Sequence, residues 1–159
     1  MDIALKNIKH SEFASHETYC YEATLYVDGK RLALVSNDGR GGCDYIYPAK
    51  GVDIEVYKTT LKDVETYLDS ASEEDCSDVM KSELLTLYCH QCVSDFLLKR
   101  DFKRQIKKLM TIEDGTIYTY QGTVNERNIA ALNNKDGCVC LNGMDAEKAF
   151  DMYKEAVGS

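Results

Sequence analysis

What is missing from this sequence narrows its reading before any motif is considered. No run approaches the roughly eighteen uninterrupted apolar residues of a membrane-spanning helix, because His90, Gln91, Ser94 and Asp95 punctuate the best candidate. The first residues, Met1-Asp2-Ile3-Ala4-Leu5-Lys6, lack the basic and then apolar regions of a secretory leader, so a cytoplasmic address is expected. Tryptophan is absent and proline occurs once, at Pro48. Neither glycine nor proline falls between Val52 and Asp114, which removes the commonest helix breakers from the middle of the chain. Histidine is limited to His10, His16 and His90. The seven cysteines (Cys20, Cys43, Cys76, Cys89, Cys92, Cys138 and Cys140) are an odd number, which fits free thiols in a reducing compartment better than a disulfide framework.

What is present describes a globular chain. A hydrophobic content of 44% argues against disorder, and 159 residues are about one domain long. The expectation is a single α+β domain over residues 1–159, with antiparallel β hairpins packed on a long central helix and a short C-terminal helix. Charge is unevenly spread. Residues 99–108 hold six basic side chains and one acidic, a net +5, whereas the rest of the chain holds 13 basic and 26 acidic, a net −13. An acidic body with one basic stripe does not offer the broad positive footprint that phosphate backbones need, so direct nucleic-acid binding is not expected.

The long helix is expected to start at about Glu73, after Ser72 as cap, and to run to Met110. Met80, Leu84, Leu87 and Tyr88 share a face, Leu85, Cys89, Cys92, Val93, Phe96 and Leu97 widen it, and Phe102, Ile106 and Leu109 continue a narrower seam. Lys99, Arg100, Lys103, Arg104, Lys107 and Lys108 form a basic face near its end, where cations suit the helix dipole.

Before it, Ile3 to Phe13 reads as an edge strand. Tyr19 to Val27 reads as a strand with Tyr19, Tyr21, Ala23, Leu25 and Val27 on one face. Asp28-Gly29 is a two-residue turn signal, and the return strand, Arg31 to Ser36, sets Leu32 and Leu34 on one side and Ala33 and Val35 on the other. Short strands are expected at Tyr45 to Pro48 and Val52 to Tyr57, and a short helix around Leu61, Val64, Glu65 and Leu68. After the long helix, Leu109 to Ile112, the turn Glu113-Asp114-Gly115, and Thr116 to Gln121 read as a second hairpin. A short helix over Val124 to Leu132, a strand over Cys138 to Leu141 and a helix over Asp145 to Ala156, capped by Asp145, complete the chain.

Four groups of residues could carry chemistry. The loop Asn37-Asp38-Gly39-Arg40-Gly41-Gly42 could cradle an anion with backbone N–H groups while Arg40 clamps it. It lacks a P-loop's Lys-Ser/Thr ending, however, and an irregular connection whose glycines permit positive φ is the plainer account. Cys89 and Cys92 on a helix and Cys138 and Cys140 on a strand could converge on zinc, although Cys-x-x-Cys within an apolar helix reads more simply as buried thiols. Cys43 with His16 is conceivable as a nucleophile pair, and Glu73-Glu74-Asp75 or Asp53/Glu55 as paired carboxylates, but no local signature supports either, and no catalytic residue or cofactor is assigned. Eleven tyrosines are many for this length. Tyr19, Tyr21, Tyr26, Tyr45 and Tyr47 cluster around the first hairpin, where they are equally candidates for a partner surface and ordinary strand residues.

The stretch from Tyr26-Val27-Asp28-Gly29-Lys30 through Val35-Ser36-Asn37-Asp38-Gly39-Arg40-Gly41-Gly42 resembles a group of small uncharacterised phage and prophage proteins. The Leu141-Asn142-Gly143-Met144-Asp145 lead-in to the last helix is similar to their carboxyl ends. The resemblance implies a phage context, in which small acidic proteins occupy the surface of a host defence or nucleic-acid-handling machine. The leading expectation is therefore a non-enzymatic inhibitor that docks on a basic surface of a host protein. The alternative is binding or hydrolysis of a phosphorylated small molecule or nucleotide at the glycine-rich loop. Self-association is compatible with both.

Overall fold

The computed structural model describes residues 1–71 and 81–158. It is α+β, with four α-helices and two antiparallel sheets among the described residues. The chain forms two compact units, Met1–Ser94 and Asp95–Ser159.

The first unit contains β1 (Ile3–His10), β2 (Cys20–Val27), β3 (Lys30–Asp38) and β4 (Tyr45–Pro48) in the order β1-β2-β3-β4, then α1 (Ile54–Ala71) and the first part of α2 (Lys81–Gln105). The β2–β3 turn is the expected Asp28-Gly29, both at positive φ (48° and 73°), a backbone twist that matches the strands it joins. On β2 the face carrying Tyr21, Ala23, Leu25 and Val27 is buried, as its alternation predicts.

On β3 the simple alternation fails. Leu25 pairs with Ala33 but Tyr26 pairs with Arg31, so Leu32 is an extra residue in a β-bulge. The bulge buries Leu32 together with Ala33 and Val35 and turns Leu34 to the other face, where it is 44% exposed. Leu32 and Leu34, expected to share a face, are split, because one inserted residue changes the parity of everything beyond it.

Val52 to Tyr57 is not a strand. Asp53 accepts from the N–H groups of Glu55 and Val56 and so starts a helix there, and α1 runs on to Ala71, well beyond the short helix expected around Leu61. Val64 of α1 is fully buried, and the Tyr57 hydroxyl donates to the Ile46 carbonyl of β4 at 3.0 Å. In α2, Leu84, Leu85, Cys89 and Val93 are buried and the Tyr88 hydroxyl donates to the Ile3 carbonyl of β1 at 2.6 Å. Leu87 and Phe96, expected within the wide apolar stripe, are exposed. The expected helix start at Ser72 and Glu73 lies outside the described residues. Its expected end is corrected, since α2 stops at Gln105 and Leu109 and Met110 are buried strand residues.

In the second unit, β5 (Leu109–Glu113) is central in the sheet β6-β5-β7, flanked by β6 (Thr116–Tyr120) and β7 (Cys138–Cys140). The β5–β6 hairpin turns at Asp114-Gly115, again with both residues at positive φ. The buried Asn142 side chain staples the end of α2 to this sheet, donating to the carbonyls of Ile106 and Lys108 and accepting from the Met110 N–H at 2.7 Å. Asn125 caps α3 (Glu126–Asn133) and Asp145, as expected, caps α4 (Ala146–Val157). Phe102, Met110, Leu141, Ala149 and Tyr153 form one core cluster of this unit, and Leu109, Leu132, Cys138 and Cys140 another.

Candidate functional site

The glycine-rich loop after β3 is tied down from inside. A Cβ on Gly39, at φ 80°, would lie 2.2 Å from the Ala14 carbonyl oxygen, so only glycine fits there. The Gly39 carbonyl accepts from the backbone N–H groups of His16, Glu17 and Thr18 at 2.9, 2.9 and 3.4 Å. The loop's own donors are also engaged: Gly39 N–H bonds Asn37 Oδ1, Arg40 N–H bonds Asp38 Oδ1 and Gly41 N–H bonds Thr18 Oγ1. An anion bound by the N–H groups of Gly39, Arg40 or Gly41 would have to displace these acceptors, whereas the exposed Arg40 side chain needs no such rearrangement.

The loop leads to Asp44, whose side chain is completely buried. One carboxylate oxygen accepts from the Tyr21 hydroxyl at 2.6 Å, and the other from Asn37 Nδ2 at 3.1 Å and the His90 ring Nε2 at 3.2 Å. The Asp44 backbone N–H donates to Thr86 Oγ1 at 3.4 Å. A buried carboxylate needs several donors to offset its lost hydration, and these come from β2, β3 and α2. The carboxylate fixes His90 with a proton on Nε2. Tyr19 and Tyr21 pack edge-on against the His90 ring, with centroids 6.2 and 6.1 Å away. Burial and the bond to Asp44 hold the Tyr21 phenol well above its ordinary pKa, and burial beside the Asp44 charge does the same to the Cys89 thiol.

A second polar cluster lies alongside. Ser15 Oγ donates to the Ser11 carbonyl and accepts from the Cys20 N–H, and His10 Nε2 lies 3.1 Å from it. The single serine proton is already committed, so His10 carries its proton on Nε2, and its buried Nδ1 has no partner among the described residues. Ser15, His16, Glu17, Thr18, Tyr19 and His90 line an open pocket of about 390 Å³. The arrangement resembles the orienting half of a catalytic triad, but no hydroxyl or thiol is hydrogen-bonded to His90 among the described residues. Its evident role is to anchor Asp44.

Anchoring Asp44 decides where the next residues point. With Asp44 inward, alternation puts Ile46 inward and Tyr45 and Tyr47 outward, and these two tyrosines are 53% and 58% exposed. Tyr47 pairs in register with Leu34, the residue the bulge turned outward. The other tyrosines named from sequence divide differently: Tyr21 is buried at 2% exposure, Tyr19 and Tyr26 are half-buried, and Tyr26 lies under the Lys6 ammonium, 4.9 Å from its ring centroid. Sequence reasoning missed Asp44, His90 and Leu34. Asp44-Tyr45-Ile46-Tyr47 carries an alternation from which the anchor could have been read.

Cys89 and Cys92 lie in the first unit and Cys138 and Cys140 in the second. Cys138 and Cys140 share the buried face of β7, as expected, where Cys138 bonds Glu113 and Cys140 bonds Asn142 Oδ1. None of the four is in a disulfide, and among the described residues no group of three or more His, Cys, Asp or Glu side chains is placed to hold a metal. Cys43 and His16 are both exposed, and no hydrogen bond joins them among the described residues. Of the paired carboxylates, Asp53 is a helix cap and Glu55 pairs with Lys58, while Glu73, Glu74 and Asp75 lie outside the described residues.

The two units differ in charge. Residues 1–94 hold 9 basic and 17 acidic side chains, a net −8, and residues 95–159 hold 10 of each. No helix among the described residues is long and apolar enough to cross a membrane. No family model, curated protein or solved structure matches the chain.

Proposed function

We propose that this chain is a phage-type interaction protein of the host cytoplasm, which docks on a basic surface of a host defence or nucleic-acid-handling protein and inhibits it by occupying that surface. The observation that carries the reading is the row of large exposed side chains on the uncovered face of the first sheet, Leu34, Tyr45 and Tyr47, held outward by a bulge and a buried carboxylate. Tyrosines and a leucine on a stiff sheet contribute contact area at little entropic cost. The net charge of −8 within residues 1–94 suits a basic partner. Neither a cofactor nor a catalytic step is part of the reading.

The test is affinity capture from host lysate at low and moderate salt, comparing the wild-type chain with Leu34→Ser/Tyr45→Ser/Tyr47→Ser. One stoichiometric protein retained by wild type and lost with the triple variant is expected. The absence of such a protein, or its equal retention by the variant, would overturn the proposal.

A further inference from the structure

The second unit contains a pocket of about 750 Å³ that plays no part in the proposed interaction. Its size is that of a small-molecule site, and its walls are mainly apolar, formed by Phe102, Ile106, Leu141, Met144 and Phe150 with the exposed Val124 at the rim. The Phe102 and Phe150 rings, with centroids 5.5 Å apart, make up much of its aromatic surface. Lys99 and Lys103 line it from α2. Lys99 Nζ is held 5.7 Å above the Phe150 ring, which keeps its charge beside the apolar wall.

Glu147 and Asp151 of α4 also line the pocket, so its charge has direction. The α2 wall belongs to the segment 99–108 with its net +5, while the two carboxylates share α4 with Lys148 and Lys154. A bound anionic group is therefore drawn toward α2 and kept off α4.

We infer that this pocket binds a small amphipathic anion: an apolar chain or ring system buried against Phe102, Phe150 and Met144, with a single carboxylate, sulfonate or phosphate between Lys99 and Lys103. This also gives the basic stripe of α2 a task beyond solvating a helix end.

The test uses the full-length chain and two probes of equal chain length and opposite charge, dodecanoate and dodecyltrimethylammonium, each titrated calorimetrically below its micellar concentration. Saturable one-to-one binding of dodecanoate, at least tenfold tighter than the cation, is expected. Lys99→Glu/Lys103→Glu alters two exposed side chains and should weaken dodecanoate at least tenfold while leaving the melting temperature of the free protein within a few degrees of wild type. Ala146→Trp, at an exposed position on the pocket wall, should block both probes. Absence of dodecanoate binding, equal affinity for the cation, or full affinity in the double lysine variant would each overturn the inference.

Discussion

Asp44 is the residue on which the candidate site turns. Its carboxylate is fully buried and receives the Tyr21 hydroxyl, the Asn37 amide and the His90 ring. Replacing it by alanine leaves those donors without their buried acceptor, and removing one member of a buried charged network costs about 3–5 kcal/mol. Asp44→Ala is expected to lose stability on that scale in urea denaturation, and Asp44→Asn less, because it keeps one acceptor oxygen. A loss under about 1 kcal/mol for alanine would mean that the network is not the anchor. The neighbours of Asp44 supply a pH dependence. Tyr21 and Cys89 have ordinary pKa values of 10 and 9, and both are raised in the folded protein, chiefly by burial. The folded state therefore holds these protons where the unfolded chain gives them up. The stabilisation is complete below pH 9 and declines as pH rises beyond it, by at most about 1.4 kcal/mol per pH unit for each group. Thermal unfolding under reducing conditions should show the melting temperature falling from about pH 9 upward. Cys138 and Cys140 are raised as well, and so are Tyr57, Tyr88, Tyr120 and Tyr153, so Cys89→Ala should reduce the fall that begins near pH 9 and Tyr21→Phe the steeper fall above pH 10, while a flat profile to pH 11 would contradict this account. The alternation Asp44-Tyr45-Ile46-Tyr47 marks Asp44 as inward, but its partner was not legible in sequence, because His90 and Asp44 meet from 46 positions apart and no local pattern announces the contact.

At the scale of elements, legibility followed how local the cause was. The hairpins at Asp28-Gly29 and Asp114-Gly115 were readable because the turn chemistry lies in two adjacent residues that tolerate positive φ. The Asp145 cap was readable for the same reason, one side chain meeting the N–H groups of Glu147 and Lys148. The start of α1 was misread because Val52-Asp53-Ile54-Glu55-Val56 alternates as a strand would, and the capping bonds of Asp53 outweigh that alternation. The end of α2 was misread because Ile106 and Leu109 keep a helical spacing beyond the last helical residue, Gln105. What stops the helix there is Asn142, which takes up the Ile106 and Lys108 carbonyls from more than thirty positions away. The bulge at Leu32 left no trace in composition, yet it decides that Leu34 joins Tyr47 on the open face. The tyrosine cluster was visible as a group, but which of its members face outward depended on the bulge and on the anchor.

Over the whole molecule, the acidic excess recognised from composition belongs entirely to residues 1–94, and the basic stripe of α2 is balanced within residues 95–159. Under the proposed function, a partner with a basic surface would be steered toward the first unit, its approach depending on charge and its final grip on Leu34, Tyr45 and Tyr47. These contributions separate kinetically. Once the partner is identified, Glu22→Gln/Asp38→Asn, two exposed acids on β2 and β3, should slow association several-fold at low salt and change dissociation little. The same loss of charge at Glu126→Gln/Asp136→Asn in the second unit should slow association less. Raising the salt shortens the reach of all these charges to a few ångströms, so the rate difference between the two double variants should close as salt approaches 1 M. Leu34→Ser/Tyr45→Ser/Tyr47→Ser should do the opposite, leaving the association rate near that of wild type and shortening the lifetime of the complex. Surface-resonance kinetics at two salt concentrations distinguish the cases, and an association rate that ignores salt would place the partner's contact away from the acidic unit.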